Sequence, residues 1–275
     1  MFEALFKYAF LQNAVLSALL ASITCGIIGT IIMEKKLVMM SGGIAHTAFG
    51  GVGMGYFLNI EPMLGALFFS VSAAVGIAAI KRKTNTNADI LIGLFWSVGM
   101  ALGIFFIALT PGYPPDMSSY LFGNILTVTR MDLYIMLVLA VIVIILVMAL
   151  FNLFKAYLFD EEFTFVLGIN TVLLEYLLFV MIALTIVVLI RVVGIILVIA
   201  LFTSPPALVK KFTHDLKKLM IGSIFVGLFF CFTGLWISYE LNIASGASII
   251  ILAGFSYIAV SVILAKRVKS RGITS

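Results

Sequence analysis

Charge is confined to short gaps between long apolar runs, and this constrains the fold more than any other feature of the chain. A bilayer-crossing helix needs about 20 mostly apolar residues. Nine segments approach or meet that length: 8–33, 37–58, 62–80, 89–109, 131–153, 171–190, 194–209, 217–238 and 246–265. The seventh is short, so eight to nine crossings are predicted. The run 171–209 is interrupted only by Glu175, Arg191 and Gly194. As one helix it would be about 58 Å long at 1.5 Å per residue, so two spans joined by a tight turn fit it better. Composition agrees: 63% of the 275 residues are hydrophobic and 11% charged, against about 45–50% and 25% in soluble domains. A soluble domain, a disordered chain and a nucleic-acid binder are set aside. The fold class is all-α, a polytopic membrane protein built as one domain over 1–275.

Lysine and arginine set the orientation. With 34–36, 81–88, 154–170, 210–217 and 266–275 on the cytoplasmic side, these loops and their flanks hold 14 of the 17 bases, leaving Lys7, Arg130 and Arg191 elsewhere. This places the N-terminus outside and the C-terminus inside. A single crossing over 171–209 would invert Lys210 to Lys218, which supports two spans. The first ten residues carry Glu3 and Lys7 but no basic leader, and the following apolar run is too long for a cleaved signal. Cys25 and Cys231 lie inside apolar segments and read as packing residues.

Two loops exceed a turn. The outer loop 110–130 contains SYLFGNIL, predicted as a short interfacial or re-entrant helix. The inner loop 154–170 carries Asp160, Glu161 and Glu162, then Phe163 and Phe165, and reaches Gly168. Acids in a first turn and a glycine at the end mark an amphipathic helix. Its exposed apolar residues call for either lipid or a protein partner, and the acids of the first turn argue against anionic lipid and favour the protein. Pro205 and Pro206 are expected to end the seventh segment, and Ser245 to cap the ninth.

Ionisable residues inside spans point to function. There is no mid-span lysine, no arginine-rich helix and no phosphate-cradling G-x-x-x-x-G-K-[ST] loop. Asp89, Glu61 and Glu175 fall near span ends, so no mid-span carboxylate is available to couple an ion gradient. His46 is the exception, about 15 Å from the Lys35–Lys36 anchor. Around it lie Gly42, Gly43, Gly50, Gly51, Gly53 and Gly55, small residues that let helices approach closely. A neutral imidazole is a ligand for transition metals, and equally a packing residue hydrogen-bonded across helices. Glu240, just outside a span, is a candidate for an entry vestibule or a solvated loop charge.

Five segments in order resemble the permease of zinc and manganese ABC importers: SGGIAHTAFGGV, Tyr120 to Val128, Phe159 to Gly168, Val193 to Ala207 and Ala244 to Leu252. The resemblance implies a fold similar to the cobalamin and siderophore importer permeases. It implies a homodimer, two cytoplasmic ABC ATPase subunits and an extracytoplasmic metal-binding lipoprotein or periplasmic protein. This chain would bind no cofactor, hydrolyse nothing itself and pass Zn2+ or Mn2+ as cargo. His46 becomes the metal-path residue; Glu240, from its place just outside a span and not from the resemblance, is a weaker second. The segment 155–170, with Asp160, Glu161, Glu162, Phe163 and Gly168, becomes the coupling element. One position departs from the family: the aspartate four residues before the histidine is Gly42 here. Loss of a hard carboxylate shifts the expectation from manganese toward zinc. The rival readings are a metal-chelate permease and a stand-alone secondary transporter.

Overall fold

A computed structural model describes residues 7–84, 86–112, 118–123 and 125–270. Glu3, the stretch 113–117 and Arg271 fall outside the described residues. Those described form twelve numbered helices and no strand. They are α1 (Ala9–Glu34), α2 (Val38–Phe57), α3 (Pro62–Thr84), α4 (Ala88–Leu109), α5 (Ser118–Phe122), α6 (Arg130–Ala149), α7 (Phe151–Phe159), α8 (Glu161–Val166), α9 (Thr171–Val193), α10 (Ile195–Val209), α11 (Leu216–Leu241) and α12 (Ser245–Ser270). A 3-10 turn over Ile125–Thr127 follows α5.

All nine expected segments are helical. Seven of the helices, α1, α3, α4, α6, α9, α11 and α12, are long and apolar enough to cross a membrane. The apolar α10 has only 15 residues. The 20 residues of α2 have the length, but their glycines dilute the hydropathy.

Side chains at the ends explain where the helices start. Asn87, Asp160, Asn170 and Asp215 each accept a hydrogen bond from a backbone N–H of the first turn of α4, α8, α9 and α11. Thr129 and Asp132 form a reciprocal capping box at α6. Three expectations are corrected. Pro205 and Pro206 lie inside α10, which continues to Val209. An interior proline costs its N–H bond and a clash with the carbonyl one turn back, and packing of α10 against α1 carries the helix past both. Ser245 is the first residue of α12, and its buried hydroxyl has no partner among the described residues, so it is no cap. The inner loop contains two helices, α7 and α8, because Asp160 takes an extended conformation between them.

The helices α1 and α9 form the enclosed centre, while α4 and α12 are the most exposed. Small residues make this possible: Ala14, Ser17, Ala18, Ala21, Ser22 and Cys25 are all buried along α1. On α1 pack α6, α10 and α11; α2 lies against both α3 and α4, and α3 leans on α9. Cys25 and Cys231 are both buried and unpaired by disulfide, and Ser22 donates to the Cys231 sulfur at 3.6 Å.

Candidate functional site

The candidate site starts from the backbone of α2. A Cβ placed on Gly53 would lie 2.5 Å from the Gly103 carbonyl oxygen, and one on Gly43 would lie 2.5 Å from Ile92 Cγ2. Glycine therefore lets α2 touch α4 backbone to backbone. Thr47 reinforces the contact, donating to the Gly43 carbonyl at 2.7 Å and reaching the Phe95 carbonyl at 3.0 Å.

His46 projects from this tight pair, half-buried, near the middle of its helix. Its ring stacks on Trp96 of α4, with centroids 4.2 Å apart and planes 12° from parallel. Its Nδ1 is buried and has no hydrogen-bond partner among the described residues. A packing histidine bonded across helices through this nitrogen would have one, and His46 does not. The Trp96 ring also explains Gly42: a Cβ there would stand 3.2 Å from Trp96 and 3.9 Å from Ile199. A side chain there would press on the edge of the indole, which would have to give by a few tenths of an ångström. Among the described residues no group of three or more His, Cys, Asp or Glu could hold a metal ion. Glu240 is exposed near the end of α11, which packs on α1, α10 and α12, whereas α2 packs chiefly on α3, α4, α9 and α10.

At the lysine-rich end, Glu175 of α9 is 1% exposed. It pairs with Lys81 at 2.7 Å and with the Arg82 Nε. Arg82 also reaches Glu161 at 3.6 Å, and Glu161 pairs with Lys35 at 2.7 Å. The Lys35 ammonium sits 3.7 Å above the Tyr157 ring. Burial, then the Glu175 and Glu161 carboxylates, push the Tyr157 phenol well above its usual range. Lys35, Arg82, Glu161 and Glu175 thus tie the ends of α1 and α3 to the starts of α8 and α9. Asp160 caps α8, Glu162 is exposed, and Gly168 has a positive φ of 79° that ends the segment. Phe159 is 92% exposed and Val166 80%, with Phe163, Phe165 and Leu167 exposed beside them.

At the opposite end Arg191 bridges Asp132 at 2.8 Å and Glu61 at 3.1 Å. The Tyr56 and Tyr120 hydroxyls meet at 3.3 Å. The α5 segment is seated on the α9–α10 break: Gly123 and Gly194 both have positive φ, and a Cβ on Gly194 would lie 2.8 Å from Gly123 Cα. Burial and the bond to Tyr56 raise the Tyr120 phenol above its usual range.

Sequence reasoning missed Trp96 as the partner of His46, and Glu175 as a buried ion-pair partner. The second had a signal: adjacent bases close one span while a lone acid lies one turn into another. The first had none, since a tryptophan on an apolar helix reads as lipid-facing.

Residues 7–264 match the ABC 3 transport family. The manganese transport system membrane protein MntC of Listeria monocytogenes is 33% identical over 91% of this chain and 89% of its own. The solved PsaBC from Streptococcus pneumoniae, in complex with Fab, superposes with a TM-score of 0.84 at 30% identity, covering 94% of this chain and 93% of the other. An inward-facing transporter described as of the metal-chelate ABC type superposes with a TM-score of 0.73 at 12% identity, over 94% and 87%. That last likeness is one of fold alone.

Proposed function

The chain belongs to the ABC 3 transport family as a metal-importer permease, a multi-pass membrane protein, and from that premise we propose that it forms the path of a divalent transition-metal cation. The unpartnered Nδ1 of His46, held near mid-helix between close-packed helices, carries this reading. In a homodimer one imidazole from each copy faces the shared path, so the cation meets two donors. With so few ligands it is held briefly and released, which suits conduction rather than storage.

In this reading the eight long helices and the shorter α10 cross nine times, the lysine-rich end is cytoplasmic and the N-terminus is outside. The exposed apolar residues of 155–170 dock on separate ABC ATPase subunits. The ion-pair network through Glu161, Arg82 and Glu175 passes their motion to α3 and α9. An extracytoplasmic metal-binding protein delivers the cation at the Glu61–Arg191 end, with Glu240 on the rim.

Manganese is the metal named for the Listeria relative and is our first assignment. Zinc is the second, favoured by one observation: Gly42 and Trp96 leave the imidazole without a neighbouring hard carboxylate. Uptake by the complex reconstituted in vesicles, with manganese, zinc and iron(II) in competition, decides between them. His46→Ala abolishes uptake while assembly persists. Unchanged uptake would remove His46 from the path, and uptake without an ATPase subunit would overturn the proposal.

A further inference from the structure

Both α6 and α11 lean on α1, and an open groove of about 660 Å³ runs between them. Its walls are apolar, with Ile23 and Ile27 from α1, Val147 and Met148 from α6, and Ile221 and Ile224 from α11. At the lysine-rich end the lining changes to Asn152 and Lys217. Asn152 also lines a second cavity of about 850 Å³, together with Lys36, Lys155, Lys210 and His214. The two cavities meet at Asn152, an apolar trough beside a mouth rich in lysine.

Charge is unbalanced at that mouth. Lys210 is paired with Glu34 at 3.0 Å, and the Asp215 carboxylate is taken up in capping α11. Lys36, Lys155 and Lys217 are exposed and have no acidic partner among the described residues. From Lys217 to Ile224 the trough descends about 10 Å along α11, from headgroup level into hydrocarbon. An acyl chain matches the apolar walls, and an anionic phosphodiester matches the three unneutralised ammonium groups. A second copy of the chain matches less well, because an isologous contact would bring the same bases against each other.

We propose that this groove binds one anionic phospholipid, its acyl chain between α6 and α11 and its headgroup phosphate on Lys36, Lys155 and Lys217. The lipid then lies beside α7 and α8, where it braces the coupling segment against α11. The inference goes beyond the transport reading and is tested without metal or ATP, so the two can fail separately.

The test is native mass spectrometry of the full-length protein released from phosphatidylcholine nanodiscs doped with phosphatidylglycerol. One phosphatidylglycerol per chain is retained in preference to phosphatidylcholine. Lys217→Gln weakens retention about five-fold, the effect of one surface lysine on an anionic lipid. Ile221→Trp fills the trough and abolishes retention. Met148→Phe on the opposite wall gives the same loss should the tryptophan variant fail to fold. Equal retention of both lipids, or no effect of Lys217→Gln, would overturn the proposal. So would loss of the retained phosphatidylglycerol on adding inorganic phosphate alone. A groove-filling variant that changes oligomeric mass rather than lipid retention would assign the groove to a second copy instead.

Discussion

Glu175→Gln tests the charged junction at the lysine-rich end. The substitution keeps the shape of the side chain and one acceptor oxygen, and it removes the negative charge. In the native chain that charge is 1% exposed and faces Lys81 and Arg82. At an effective dielectric near 20, each close pair is worth about 4 kcal/mol of gross attraction. Much of that repays the desolvation of the carboxylate, and breaking a fully buried pair costs about 3–5 kcal/mol. Here the bases are 34% and 30% exposed. They regain much of their hydration once unpaired, which lowers the expected loss to about 2–3 kcal/mol. Arg82→Gln leaves Lys81 to neutralise Glu175, so its cost is smaller, about 1–2 kcal/mol. Because they share one network, the double variant costs less than the sum of the two singles. The assay is chemical or thermal unfolding in nanodiscs for both single variants and the double. The reasoning is refuted if Glu175→Gln unfolds with the wild type, or if the two effects simply add.

Other outcomes follow from the same geometry. Glu162→Lys and Gly168→Pro uncouple transport from ATP hydrolysis, because one reverses charge on the docking segment and the other cannot adopt a φ of 79°. A normal stimulation of ATPase activity by cargo in both variants would displace coupling from 155–170. Gly194→Ala combines a backbone strain of about 1–3 kcal/mol with an overpacking cost of similar size, and lowers the midpoint of unfolding; an unchanged midpoint would refute the close approach to Gly123. Gly42→Asp alone meets Trp96 and reduces uptake, whereas Gly42→Asp with Trp96→Ala makes room for the carboxylate and shifts competition toward manganese. If Gly42→Asp alone transports like the wild type, the indole does not press on that side chain.

The helices were legible because each is a long apolar run with charge at its borders, and the lipid-facing environment leaves the backbone no alternative to helix. The α9–α10 break was legible from Gly194 and from the lysines beyond it. What the sequence could not convey is depth. Glu175 sits one turn inside its helix, and from position alone it reads as a solvated end charge; only the arrival of the α3 terminus buries it. The prolines of α10 likewise read as a stop, yet tertiary packing against α1 carries the helix past them: a Cβ on Gly29 would lie 2.6 Å from the Phe202 carbonyl oxygen.

The same limit applies at His46, and there it bears on mechanism. The histidine and the missing aspartate were both legible, and loss of the acid read simply as loss of a ligand. The structure couples that loss to a gain. Trp96 lies close over Gly42 and stacks on the imidazole, an arrangement worth about 0.5–1.5 kcal/mol beyond area burial. An aspartate would anchor a cation; the indole instead fixes the ring while adding no charge. Under the proposed function, a donor held in place without a deeper electrostatic well favours quick release, which a path opened by ATP-driven access needs more than affinity. Gly42 and Trp96 therefore act as one packing unit across two helices, and the single and double variants together test it.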